Sequence, residues 1–174
     1  MKKNYFLLFI TFTCMFFSCS SDKKNDALII TNNIDQMVGW AQNPSIIKGE
    51  SHSGNYMCKV DAYTPYSFGL SLSSEDFPTK KAKSVKASVW GKLFNQNDSI
   101  SLVVELVSKG QFVGWTGIAF SNAISNTNEW GKVEVSLDIP KNIPAETFLR
   151  VYVWSTKKTP AYGVCDDFEI SFVE

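Results

Sequence analysis

The stretch YGVCDDFEISFVE, residues 162–174, decides how the rest of the chain is read. In its second half Phe168, Ile170 and Phe172 alternate with Glu169, Ser171 and Val173. Side chains of a β-strand point to opposite faces in turn, so the first three residues share one apolar face. The same parity carried backwards puts Asp166 on that face and Cys165 on the other. An ionised carboxylate among apolar side chains is costly unless it is paired, hydrogen-bonded or metal-bound. The segment therefore predicts a core strand with a compensated charge at its middle.

Working outward, no window shows a sustained helical stripe, and alternation recurs instead. Further strands are expected in ALIITNNI, NYMCKVDA, YSFGLSLSS, SVKASVWGKLF, SISLVVELVS, FVGWTGIAF, GKVEVSLDI and FLRVYVWST. Turn-forming stretches such as SHSGN, FPTKK, SKGQ, SNTNEW and KKTPA separate them. Short strands with turns roughly every ten residues predict an all-β fold. The architecture expected is an antiparallel two-sheet β-sandwich, a jelly roll, with an up-and-down barrel as the other topology. No repeat or linker divides the region 28–174, so it reads as one domain.

The N-terminus reads differently. Lys2 and Lys3 precede an apolar run from Tyr5 to Phe17 that is shorter than the ~20 residues a spanning helix needs. The step FFSC ending at Cys19 resembles a bacterial lipobox, although Phe16 stands where leucine is commonest. That resemblance implies a signal peptide over 1–18, lipid on Cys19 and a polar tether over 19–27. It places the protein in the bacterial cell envelope, on the outer membrane, held by its lipid. The alternative is an ordinary secretory signal with an incidental cysteine. Across the whole sequence 17 basic residues balance 17 acidic ones. Losing Lys2 and Lys3 leaves a slight acidic excess and no basic patch, which argues against nucleic acid as a partner.

Alternation also sorts side chains between faces. Val85, Ala87, Val89 and Leu93 form one aliphatic set, Leu149, Val151 and Val153 another, and Leu102, Val104 and Leu106 a third. These are the expected inter-sheet core. The opposite faces mix rings with charge: Trp90 beside Lys86 and Lys92, Tyr152 and Trp154 beside Arg150, and Glu105 beside Ser101 and Val103. Sugars present flat C–H surfaces and dense hydroxyls, which suit aromatic rings and planar Arg donors. Trp90, Arg150, Tyr152 and Trp154 are therefore the candidate ligand-binding residues. Arg150 to Trp154 makes a row about 13–14 Å long, and Trp90 extends it only if both strands share a sheet. The alternative is that these rings merely cover the sheet beneath a loop.

Five segments, GESHSGNYMCKV, SVKASVW, NEWGKVEVSLDIP, FLRVYVWS and YGVCDDFEI, follow one another in an order that carries a resemblance. From about Asn32 onward the chain resembles the calcium-containing jelly rolls of the galactose-binding-like superfamily, and xylanase-associated carbohydrate-binding modules in particular. The resemblance implies two sheets, a glycan groove and a structural calcium near the first and last strands. Its ligands would be Asp35, the Ser53–Gly54–Asn55 turn and Asp166, an all-oxygen set of the kind calcium takes. Asp35 departs from the longer glutamate usual there. The alternative for Asp166 is a carboxylate held by hydrogen bonds near His52. Parity turns Cys58 and Cys165 to different faces unless a bulge intervenes, leaving free thiols or a disulfide both open.

Three functions compete on these readings. One is a membrane-anchored, non-catalytic lipoprotein that captures a poly- or oligosaccharide. Another is a structural or protein-interaction lipoprotein without a small ligand. The third is a glycan-cleaving jelly roll, which needs two carboxylates facing one substrate. Glu105 is one candidate, while Glu134 and Asp138 sit on a different face. A single histidine assembles neither a Ser-His-Asp set nor a zinc site. The expectation is a binder, not an enzyme.

Overall fold

The computed structural model describes residues 28–39, 43–96, 99–156 and 161–174. The expected signal peptide, Cys19 and the tether lie outside the described residues. Among these residues ten strands form: β1 Leu28–Asn32, β2 Ile46–Lys48, β3 Tyr56–Asp61, β4 Leu70–Ser73, β5 Ser84–Leu93, β6 Ile100–Ser108, β7 Gln111–Ala119, β8 Trp130–Asp138, β9 Thr147–Ser155 and β10 Tyr162–Val173. Nine of them fall in the segments singled out by alternation. β2 is the addition; at three residues it is too short to show a period.

The strands pair antiparallel in two sheets. One has the order β2-β3-β10-β5-β8, with β1 also against β10, and the other β4-β9-β6-β7. β5 runs along the whole of β10, so β3 and β1 share its other edge, β3 on residues 162–165 and β1 on 168–172. The fold is an all-β, two-sheet sandwich, and the barrel alternative is excluded.

The three aliphatic sets predicted for the core are all fully buried between the sheets. Phe120, Phe168, Ile170 and Phe172 belong to the same buried core. Burying each such side chain contributes roughly 1.5–3 kcal/mol, so the facing aliphatic stripes hold the sheets together.

One irregularity overturns the parity of the C-terminal strand. Asp166 pairs with Trp90 of β5 while Glu169 pairs with Ser88, so two residues of β10 face one of β5. This is a β-bulge, and Asp167 at its centre has φ 50°, a left-handed conformation that a short polar side chain tolerates better than most. The extra residue flips everything before it. Cys165, not Asp166, continues the apolar face of Phe168, Ile170 and Phe172. Cys165 lies directly opposite Cys58 on β3, so the two thiols face each other in the core. Both are free cysteines, and burial pushes the Cys165 thiol well above its usual range. Asp166, expected in the core, instead points to the outer side of the six-stranded sheet.

A second bulge lies in β7. Leu106 pairs with Gly114 but Val107 pairs with Phe112, which leaves Val113 as the extra residue. Phe112 and Trp115 thereby come to the same outer face, which strict alternation forbids.

Candidate functional site

The two sheets expose outer faces of different kinds. On the four-stranded sheet, cross-strand pairing lines up Ser71, Arg150, Glu105 and Trp115 in one row across β4, β9, β6 and β7. Beside it, Ser73, Phe148, Val107 and Phe112 form a parallel row. On the other side lie Tyr152, Val103 and Gly117, with Gly69 pressed against Tyr152. Part of these rows, with Tyr66, lines a groove of about 510 Å³ (Ser71, Glu105, Phe112, Arg150 and Tyr152 among others), and Trp115 stands beside that lining, across from Glu105 on β7.

Glu105 is the centre of the floor and only 4% exposed. Arg150 Nη1 stands 3.6 Å from Glu105 Oε1, and the Tyr152 hydroxyl donates to Oε2 at 3.1 Å. Burial, and next the neighbouring Glu105 charge, push the Tyr152 phenol well above its usual range. The phenol thus stays protonated and acts as donor to the carboxylate. Tyr66 packs edge-on against Tyr152 with ring centroids 5.7 Å apart. The Arg150 side chain is 48% exposed and lines the groove, and its guanidinium carries five N–H donors.

Around this network stand rings without cover. Trp115 is 51% exposed and Phe112 69% exposed. A Cβ on Gly117 would lie 3.0 Å from Trp115 Cη2, so the missing side chain there is what lets the indole lie down along the sheet. Sequence reasoning missed Trp115, Phe112 and Tyr66. The first two were hidden by the bulge in β7, and Tyr66 joins through an isolated bridge to Trp154 outside the named strands. Of the four residues expected to bind ligand, Arg150 and Tyr152 line the groove. Trp154 lies on the same outer face beyond Tyr152, half-buried at its end. Trp90 belongs to β5 of the other sheet and does not extend this platform.

On the six-stranded sheet the chain covers its own tryptophan. The His52 ring stacks on Trp90 at 4.0 Å with a 12° interplanar angle, and stands edge-on to Trp130 at 5.7 Å. His52 Nδ1 lies 2.6 Å from Asp167 Oδ2, and the Ser53 hydroxyl donates to Asp167 Oδ1 at 2.7 Å. The turn 51–55 is thereby pinned to the bulge in β10. Its sharp bend requires Gly54, where φ is +66° and a Cβ would overlap the Asp35 carboxylate.

The oxygen set expected to hold calcium is found here, and its geometry answers the opening charge in another way. Asp166 is 0% exposed; its Oδ2 accepts the Ser53 N–H at 3.0 Å and its Oδ1 the Asp167 N–H at 2.8 Å. Asp35 Oδ1 accepts the Asn55 N–H at 2.9 Å, and Oδ2 accepts that of Tyr56 at 3.1 Å. Burial raises the Asp166 carboxyl, and these N–H groups pull in the other direction. Buried amide oxygens of Asn32 and Asn33 lack a hydrogen-bond donor, which favours a cation nearby. Yet a turn that aims N–H groups at both carboxylates gives them what an anion needs and a cation does not. Among the described residues no three His, Cys, Asp or Glu side chains converge on a point that could hold an ion. The turn's N–H groups compensate the charge on Asp35 and Asp166, in the manner of the hydrogen-bonded alternative for Asp166.

The fold, a two-sheet jelly roll, is one that solved carbohydrate-binding modules share. Solved structures with the same fold include the CBM22-1–CBM22-2 tandem of Paenibacillus barcinonensis Xyn10C, with TM-score 0.53 and 16% identity over 88% of this chain and 52% of that one. The C-terminal CBM6 of LamC from Zobellia galactanivorans is similar at TM-score 0.50 and 11% identity, over 83% of this chain and 99% of that one. No protein-family model and no curated protein sequence matches the chain. At such identities the likeness concerns the fold, and the function has to come from the groove.

Proposed function

We propose that this domain captures an oligo- or polysaccharide in the groove of its four-stranded sheet without cleaving it. The observation that carries the reading is the half-exposed Trp115 indole lying along the sheet beside the Glu105–Arg150–Tyr152 network. A flat apolar ring next to converging donors and acceptors is what a pyranose presents in complement. Cleavage needs two carboxylates about 5–9.5 Å apart across the scissile bond. Among the described residues lining the groove Glu105 is the one carboxylate, and Arg150 and Tyr152 already hold it.

The test is a calorimetric titration with xylo-, gluco- and galacto-oligosaccharides, repeated with Trp115→Ala and Trp154→Ala. Removing an anchoring ring typically costs about 2 kcal/mol, near thirtyfold in affinity, and that loss is expected for Trp115→Ala with the melting temperature retained. Trp154→Ala, at the groove's end, is expected to lose less. If no saccharide binds the wild type, the domain is a protein-interaction or structural module.

We further propose that the domain is held at the cell envelope, on the outer membrane, by lipid on Cys19. The charged start, the short apolar run and the cysteine at its end support this. Two acyl signals are needed for stable anchoring, and a diacylglyceryl cysteine supplies them. Cys19→Ser is expected to leave the membrane fraction, and its retention there would refute the anchor.

A further inference from the structure

The groove contains one buried negative charge, and its placement bears on what kind of glycan can enter. Glu105 and Arg150 are the charged residues among the described residues lining it. They face each other across adjacent strands and cancel. The next pair, Lys109 and Glu146, stands 3.8 Å apart in solvent and cancels as well. The floor is therefore polar but electrically neutral, although it contains a full guanidinium.

Resting on the glycan-binding reading above, we propose that Glu105 is a specificity-determining residue that makes the groove select uncharged glycans over uronate-bearing ones. Two parts of the geometry lead there. Glu105 is almost wholly buried while Arg150 is half-exposed. A carboxylate entering the groove meets an attraction weakened by solvent and a repulsion that solvent screens far less. It must also shed its hydration without an unpaired cation to receive it. A sugar hydroxyl meets the opposite situation. Glu105 accepts one hydrogen bond, from Tyr152, and faces Arg150 as an ion pair at 3.6 Å, leaving acceptor sites on both carboxylate oxygens. Arg150 presents further N–H donors, and the Tyr152 oxygen, which keeps its proton while donating a hydrogen bond to Glu105, remains an acceptor. Neutral hydroxyls, which donate and accept, satisfy all three.

The experiment measures affinities for matched pairs of equal length: galacto-oligosaccharides against oligogalacturonides, and gluco-oligosaccharides against glucuronate-bearing ones. In wild type the neutral member of the pair that binds is expected to be favoured at least about tenfold, since a like-charge contact costs more than the 1.4 kcal/mol that factor represents. Glu105→Gln keeps an acceptor for Tyr152 and removes the charge, so the preference should collapse toward unity through a gain in uronate binding. Arg150→Met leaves the buried carboxylate unbalanced and should widen the preference while weakening both ligands. The two variants thus move the same ratio in opposite directions, and the wild-type ratio needs no variant to fold. Equal or stronger uronate binding by wild type overturns the proposal, as does a ratio untouched by Glu105→Gln in a folded protein. Failure of every glycan, neutral and acidic, to bind wild type would instead remove the glycan-binding reading and this selectivity with it.

Discussion

The two outer faces of the sandwich both carry tryptophans, and the chain treats Trp90 and Trp115 differently. Trp90, on the six-stranded sheet, is roofed by His52, which stacks on it and is tied to the bulge by Asp167. Trp115, on the four-stranded sheet, lies over Gly117 with half its surface open. Both sit on an outer face of a β-strand, and alternation along the strand does not tell an open ring from a covered one. What separates them is a turn from elsewhere in the chain, 51–55, that folds over one face and not the other. An aromatic ring on an outer sheet face is therefore a ligand platform only where the protein has not already supplied the ligand's place.

That contrast can be broken most severely at Gly54. An alanine there combines a left-handed backbone with a Cβ 2.2 Å from Asp35 Oδ2, so the turn must open. Such strain and overlap cost about 2–3 kcal/mol, and denaturant unfolding of Gly54→Ala should show it. Tryptophan emission should shift as Trp90 loses its roof, while saccharide binding at low temperature should persist. A fully stable Gly54→Ala would mean the turn is not pinned as described.

A milder cut leaves the turn and removes only the roof. His52→Ala deletes the stack on Trp90, worth about 0.5–1.5 kcal/mol, with the edge contact to Trp130 and a partly exposed hydrogen bond to Asp167 worth about 1 kcal/mol or less. A loss near 1 kcal/mol is expected, with groove affinity unchanged. If His52→Ala abolished saccharide binding instead, the six-stranded face would be the ligand face and the comparison would reverse.

Smaller still is the pH response of Asp166. Its carboxyl is raised above the ordinary 3.8, by burial first, so the native state holds this proton more tightly than the unfolded chain. Stability from this group is then fully present below the unfolded value and is lost as pH rises through the raised native one. Relative to Asp166→Asn, which cannot titrate, the wild type should gain stability as pH falls through that window. A stability difference constant from neutral pH to pH 4 would contradict the assignment.

The smallest expected effect is none. Because N–H groups occupy both aspartates, chelator and excess calcium should give the same melting temperature. A bound ion at a hundredfold excess over its dissociation constant would add about 2.7 kcal/mol, and a chelator-induced fall of that order would restore calcium to the site.

Much of this molecule was legible as residues. Alternating residues mark nine of the ten strands found among the described residues and the aliphatic stripes of the inter-sheet core, because a period of two with one apolar face is a local property of each segment. Arg150, Tyr152 and Glu105 were legible for the same reason, being spaced by twos on unbroken strands. Only the tertiary structure decided the rest. Each bulge adds one residue against a partner strand, and whether it forms depends on which strand lies alongside and in what register. The bulge at Asp166–Asp167 moved a carboxylate out of the core and set Cys165 against Cys58; the one at Val113 brought Phe112 and Trp115 together over Glu105. The covering of Trp90 likewise depends on contacts between His52 and Asp167, which lie far apart in the chain, and no pattern local to either residue carries that information.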